Sequence, residues 1–273
     1  MTTLQSVPRP TRGVVNPAAG EKMFRLETFV PDADLAPFIE HFWLVAWTLP
    51  EGVVHVQRTL PSPCIHVVFD GGRTAIFGVM TGAFEYTLRG TGRVLGLRFR
   101  PGAFRGFLKQ PVQTATNREL PLSAVFACDD ATAEHSVMNA PDDAAMVVAA
   151  SAIIRTALPA VDPMQERISS ILQAIERNAD ITQVQQLADH TGISVRKLQM
   201  LFKDYVGATP KWVIRRNRLL DASDLLAKGS DIDLATLAHQ LGYYDQAHFT
   251  TDFEKLVGKP PSEYRRNCQT PHQ

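Results

Sequence analysis

Two stretches in the last third of this 273-residue chain repeat one another, and no other feature limits the fold so strongly. Leu187, Ala188 and Gly192 recur fifty residues later as Leu237, Ala238 and Gly242. Leu198, Phe202, Val206, Gly207 and Pro210 recur at an offset of fifty-one, as Phe249, Phe253, Val257, Gly258 and Pro261. Eight matches of type and spacing define a duplicated structural unit. Each copy reads as a short helix starting Leu-Ala, a turn containing Gly, and a longer amphipathic helix, which is a helix-turn-helix arrangement. The small Ala188 and Ala238 let two helices cross closely, and Gly192 and Gly242 suit a left-handed backbone. Ser194 and Asp245 stand where an N-cap belongs. Thr209-Pro210 opens a further helix, through Trp212, Ile214, Leu219, Leu220 and Leu225 to about Ala227.

Charge adds a chemical argument. Between Ser194 and Arg218 the basic residues Arg196, Lys197, Lys203, Lys211, Arg215, Arg216 and Arg218 face only one acid, Asp204, a local net of +6. A cluster of one sign is the footprint of phosphate binding. The second copy differs, with three lysines against eight acids from Asp221 to Glu263. The first copy is therefore expected to supply most of the phosphate affinity. A connecting helix of 18 residues would span about 27 Å, near the ~34 Å of one duplex turn. It can hold two readers in successive major grooves.

The first half of the chain carries a different pattern. Runs such as FRLETFV, FWLVAWTL, VHVQRTL, CIHVVFD, TAIFGVM and RVLGLRF, between Phe24 and Phe99, are rich in β-formers and punctuated by Pro and Gly. They predict a sandwich or small barrel. After Pro101 the pattern turns helical, and Asp142 to Leu158 reads as an Ala-rich helix that is buried or faces a second copy. Pro159 and Pro163 mark a linker, with Asp162 capping the next helix and Met164, Ile168, Ile171, Leu172 and Ile175 on one stripe. The expected class is α+β. Residues 1–22 form a flexible lead-in, 23–160 a β-rich sensor or dimerisation domain with C-terminal helices, and 163–267 an all-α domain with two helix-turn-helix motifs.

Zero formal net charge supplies no global field toward nucleic acid or membrane. No apolar run approaches the ~18 residues of a membrane span, and the N-terminus lacks the apolar core of a secretory signal. Cys64, Cys128 and Cys268 lie far apart and match no zinc spacing. A soluble, cytoplasmic protein without cofactor is expected.

The repeat also resembles a known family. Ser194-x-Arg196-x-Leu198, Phe202-Lys203, Gly207-x-x-Pro210, Arg218-Leu219 and Ala222 resemble the first half of the AraC/XylS regulator signature. Leu237-Ala238-x-x-x-Gly242-Tyr243, His248-Phe249, Phe253, Gly258-x-x-Pro261 and Tyr264-Arg265 resemble its second half. The resemblance implies a seven-helix domain with two readers, about 194–206 and 245–256, on one face of double-stranded DNA. It favours activation, with RNA polymerase as a further partner. Carried over by position, the base-facing candidates are Arg196, Gln199 and Met200 in the first reader. In the second they are Gln246, Ala247, His248, Thr250 and Thr251. Lys197, Lys203, Arg215 and Arg216 are the phosphate or surface candidates, and Leu198, Leu201, Phe202, Phe249 and Phe253 the core. Gln199 and Gln246 suit bidentate bonding to adenine. Met200, Thr251 and Glu254 stand where the family commonly has Arg, Arg and Lys, which puts affinity and site preference in question.

Arg58-x-Leu60-Pro61, Val67-Val68-Phe69-Asp70 and Gly96-x-Arg98-Phe99-x-Pro101-Gly102 resemble cupin-like sensor-type domains of such regulators. A small-molecule effector pocket there would draw on Phe42, Trp43, Trp47, His55, Arg58, His66 and Phe77. Rival readings are an interaction protein with degenerate DNA binding and a metal-dependent cupin-like enzyme using His41, His55 and His66. Against the enzyme, no His-x-His pair and no Gly-x-Ser-x-Gly, His-Glu-x-x-His or phosphate-loop motif occurs. A DNA alkyl-repair role lacks the clustered cysteines it needs.

Overall fold

In the computed structural model residues 23–229 and 232–269 are described, Gln269 by its backbone alone. The expected flexible lead-in, 1–22, lies outside them. The first half holds eight strands: β1 (Arg25–Phe29), β2 (Ile39–Thr48), β3 (Val54–Thr59), β4 (His66–Asp70), β5 (Ala75–Phe77), β6 (Phe84–Arg89), β7 (Thr91–Phe99) and, after a first short helix, β8 (Glu119–Leu120). Six form one antiparallel sheet in the order β1-β2-β7-β4-β5-β8, and β3 pairs with β6 as a separate two-stranded ribbon. The strand β6 was not among the runs singled out in the sequence. Its FEYTLR alternates side chains between the two faces of the ribbon.

Alternation along β2 decides what each face of the large sheet does. Phe42 and Leu44, with Leu95 and Leu97 of β7 and Val67 and Phe69 of β4, point into the main hydrophobic core. His41, Trp43, Val45 and Trp47 point the other way, toward the β3-β6 ribbon, and line a cavity between the two layers. Two glycines of β7 make room for the indoles. A Cβ at Gly96 would come within 2.0 Å of the Trp43 ring and one at Gly92 within 2.3 Å of the Trp47 ring.

Helices cover the core face: α1 (Phe104–Leu108), α2 (Asp130–Met138) and α3 (Asp143–Arg155). Asp142 caps α3, its carboxylate accepting from Ala145 N at 2.8 Å. This is the Ala-rich helix of the sequence. Met146, Val147, Ala150, Ile153 and Ile154 bury one side in the core, while Val148 is exposed.

Seven helices follow among the described residues: α4 (Met164–Arg177), α5 (Val184–Thr191), α6 (Val195–Leu201), α7 (Pro210–Ala227), α8 (Leu234–Gln240), α9 (Gln246–Val257) and α10 (Pro261–Gln269). The helix α4 starts one residue later than expected, with Pro163 in the cap position, and Asp162 Oδ1 accepts from Met164 N at 2.8 Å. The stripe Ile168, Ile171, Leu172 and Ile175 is buried. Hydrophobic contact continues from the β-sheet through α1 and α4 into α6 and the start of α7. The second helix-turn-helix unit has its own core, built on Leu219, Leu237, Phe249, Phe253 and Val257, and Leu60 of the first half is part of it.

Candidate nucleic-acid interface and sensor cavity

The two reader helices start on matching caps. Ser194 accepts from Lys197 N and Asp245 accepts from His248 N, so each satisfies an otherwise orphan amide. The turns before them close on Gly192 (φ 66°) and Gly242 (φ 68°), a backbone that an L side chain rarely adopts. Leu198, Leu201, Phe202, Phe249 and Phe253 are buried, which seats each helix and directs its other face outward. On α6, Arg196, Lys197, Gln199 and Met200 are exposed, and Lys203 follows just beyond it. On α9, Gln246, Ala247, His248 and Thr251 are exposed and Thr250 is half-buried. Met200 is 56% accessible, a large apolar group turned to the surface.

Two details depart from expectation. The α-helical part of the first reader ends at Leu201, and Phe202–Val206 winds as a π-turn closed by Gly207 N donating to Phe202 O at 2.8 Å. At this turn the first half of the chain docks: Thr116 Oγ1 donates to Gly207 O at 2.5 Å, and Arg105 Nε meets Asp204 Oδ1 at 2.7 Å. Asp204, the single acid in the basic stretch, is thus occupied by an arginine of the other half. Thr251 Oγ1 donates to Ala247 O at 2.9 Å, so its hydroxyl serves its own helix.

The phosphate candidates divide. Lys197, Lys203 and Lys211 are exposed. Arg215 of α7 is ion-paired with Asp252 of α9, whose side chain is only 4% exposed. The placement of Arg216 corrects the sequence expectation. It is buried, and its Nε donates to the Pro61 carbonyl of the β-rich half. The α7 helix turns it toward the first half because its neighbours Val213, Leu219 and Leu220 occupy the core sides.

The cavity between the two β layers has a volume of about 310 Å³. Trp43, Trp47, His66 and Phe77 line it, as expected. The other three expected residues do not. Phe42 sits on the opposite face of β2 in the core. His55 packs against Phe24, with ring centroids 6.1 Å apart, and Nε2 lies 3.3 Å from Gln57 Oε1. Arg58 points out of the cavity, pairing with Glu85 and donating from Nη1 to Val257 O at 3.2 Å. Sequence reasoning missed Asp70, Tyr86, Arg98 and Arg216. The alternation of β4, β6 and β7 would have pointed to the first three once the facing sides were known.

Electrostatics inside are set by burial. Trp43 Nε1 donates to His66 Nδ1 at 3.3 Å, which leaves the hydrogen of the neutral ring on Nε2. Burial, reinforced by the Arg98 charge, pushes the His66 imidazole down to about 3. Burial raises the Asp70 carboxyl, opposed by Tyr86 OH donating to Oδ2 at 2.7 Å. Burial also raises the Cys64 thiol. Among the described residues no group of three or more His, Cys, Asp or Glu is placed to hold a metal ion, and no helix is long and apolar enough to cross a membrane.

A β-rich domain with an internal cavity, joined to a duplicated helix-turn-helix unit, defines the class of protein. Residues 187–267 match a helix-turn-helix domain family, and residues 27–121 match a domain family of unknown function, DUF6597. The probable transcription factor PqrA of Proteus vulgaris is 33% identical over 97 residues, covering 36% of this chain and 78% of PqrA. The transcriptional activator RhaS of Pectobacterium carotovorum subsp. carotovorum (strain PC1) is 37% identical over 82 residues, 30% of this chain and 29% of RhaS. A solved AraC-type transcriptional regulator from Chromobacterium violaceum aligns at 24% identity and a TM-score of 0.36, over 40% of this chain and 97% of that one. The chain belongs to the AraC/XylS family of transcription regulators. Its match spans less than a third of RhaS.

Proposed function

We propose that this chain is a sequence-specific DNA-binding transcription regulator, in which α6 and α9 read adjacent major grooves and the β-rich domain modulates their seating. One observation carries the reading: two helices on equivalent caps turn outward residues that can contact bases, Arg196, Gln199 and Met200 on one, Gln246, Ala247 and His248 on the other. Arg196 can bond guanine and the two glutamines adenine, each bidentately, while Met200 offers a surface for a thymine methyl. Lys197, Lys203 and Lys211 supply phosphate contacts, which position without specifying. Arg215 acts through Asp252, holding α9 against α7.

The cavity is the seat of a small-molecule effector. RNA polymerase, and a second copy of the chain meeting through the exposed side of α3, are the remaining proposed partners. That RhaS is a transcriptional activator and PqrA a probable transcription factor supports regulation, and activation in the case of RhaS. The test is a base-substitution scan of a bound duplex. Gln199→Ala is expected to relax specificity at one position and Gln246→Ala at another, about one helical turn away, each by roughly 1–3 kcal/mol. Losses spread evenly over all positions would reduce both side chains to backbone contacts. A second reading, an interaction protein with degenerate DNA binding, is favoured by the exposed Met200 and the acidic second unit, and requires that no duplex binds.

A further inference from the structure

The polar groups of the cavity are unevenly placed, and they gather where the two halves of the chain meet. Strand register puts His41, Arg98 and His66 in one row across β2, β7 and β4. The next row on the same face is Trp43, Gly96 and Val68, and the next Val45, Val94 and Asp70. Cys64 lies near the first row and within electrostatic reach of both Arg98 and Arg216. The Pro61 carbonyl that receives Arg216 precedes it by three residues. Two guanidiniums, one from β7 and one from α7, therefore flank the same corner, beside the Nε2 hydrogen of a neutral His66. Glu40 pairs with Arg98 but is not part of the cavity wall. At the other end Asp70, two rows away, is engaged by Tyr86, and Arg73 of the same end is paired with Glu119 and lies over Phe77 and Phe84. Between the two ends Leu26, Trp43, Val45, Phe84 and Leu88 make most of the wall, with Thr28, Gln57 and Thr59 as its polar members.

We propose that this cavity binds a small apolar monocarboxylate. Its aryl or alkyl body lies against Trp43 and the β3-β6 ribbon, and its carboxylate is shared by Arg98 and Arg216. Carboxylate suits planar guanidinium donors, which bind it through paired charge-assisted hydrogen bonds. A cavity of about 310 Å³ is at the small end of ordinary ligand sites, roughly 300–1,000 Å³. The ligand then touches both halves of the chain at once. Gln57 and Thr59 of β3 face it, while Arg58 between them bonds Val257 of α9 and Leu60 packs into the core of the second helix-turn-helix unit. Filling the cavity fixes β3 and, through it and Arg216, fixes α9 relative to α6. This last step rests on the DNA-binding function proposed above; the binding step does not.

The test uses the full chain and matched probes: 2-naphthoate against 2-naphthalenemethanol, and decanoate against decanol. Binding is read by tryptophan fluorescence and by melting temperature. One hydrogen bond to a charged group corresponds to roughly a ten- to hundredfold change in affinity. The acids are expected to bind at least about tenfold more tightly than the alcohols, and Arg216→Gln to remove that preference without weakening the alcohols. Arg98→Gln should do the same; if loss of the Glu40 pair unfolds it, Arg98→Lys, with partial preference, replaces it. Equal affinity of acid and alcohol, no binding at millimolar concentration, or an intact preference in folded Arg216→Gln would overturn the assignment. In the wild type, 2-naphthoate or decanoate should shift the affinity for a bound duplex, and in Arg216→Gln it should not. Acid binding with an unchanged duplex affinity overturns the coupling. Acid preference in a protein that binds no duplex overturns the function reading and leaves the cavity assignment standing.

Discussion

At the scale of single residues, two side chains report on the β-rich half. His66 titrates near 6.5 in the unfolded chain and about 3 in the folded one, so the unfolded state binds more protons between those values. Its contribution to stability is complete above pH 6.5 and is lost as the pH falls toward 3, at no more than about 1.4 kcal/mol per pH unit. His66→Gln is expected to flatten the fall of melting temperature between pH 7 and 5; an unchanged slope would mean that His66 is not held neutral. Gly96 is the second reporter. A methyl there meets the Trp43 indole, and the core on the other face of β7 blocks a backbone shift. Gly96→Ala should push the ring into the cavity, changing tryptophan emission and abolishing probe binding while the fold survives; unaltered emission would contradict the packing. His66 was legible as a pocket candidate, but its being held neutral, like the part played by Gly96, was not. A histidine in a β-rich run and a glycine in Val-Leu-Gly-Leu gain their roles only from the strands beside them.

At the scale of elements, the caps carry most of what was legible. Ser194, Asp245 and Thr209 each accept from the amide three residues on, and α7 begins at Pro210 and ends at Ala227, as the pattern predicts. Local chemistry fixes such boundaries, so a single sequence reveals them. Asp245→Ala should destabilise the chain by about 1 kcal/mol and weaken duplex binding by fraying the start of α9. Denaturant titration and anisotropy would measure both, and a stable variant with intact binding would remove α9 from the interface. Phe253→Ala, in the second core, should cost about 3–5 kcal/mol. The repeat of fifty and fifty-one residues disclosed both reader helices, because duplicated units must bury the same face. Arg216 and Arg58 were misread for the opposite reason. Each lies in a stretch that suits an exposed surface or an open strand, and each is claimed by the other half of the chain. Contacts between residues 155 or 199 positions apart leave no periodic trace. The π-turn at Phe202–Val206 was equally hidden, since it forms where Thr116 and Val112 press against Gly207.

At the scale of the whole molecule, the β-rich half holds each helix-turn-helix unit by separate links. Arg105, Thr116 and the Thr81 carbonyl, which accepts from Trp212 Nε1 at 3.3 Å, secure the first unit and α7. Arg58, Leu60 and Pro61 secure the second unit and the middle of α7. Relative placement of α6 and α9 is thus set by a third body, and the cavity lies beside the second set of links. With Lys197, Lys203 and Lys211 exposed on the first unit, Arg215 and Arg216 engaged elsewhere, and the second unit acidic, duplex binding is expected to start at α6. Lys197→Ala and Lys203→Ala should each lower the salt slope by about one without altering sequence preference. The most direct test of the central claim is a titration of the full chain into a labelled duplex from beside its own gene, at two salt concentrations, with an unrelated duplex alongside. Tighter binding to the first duplex, weakening steeply as salt rises, is the expected result. Folded protein that binds neither duplex at low salt would contradict it.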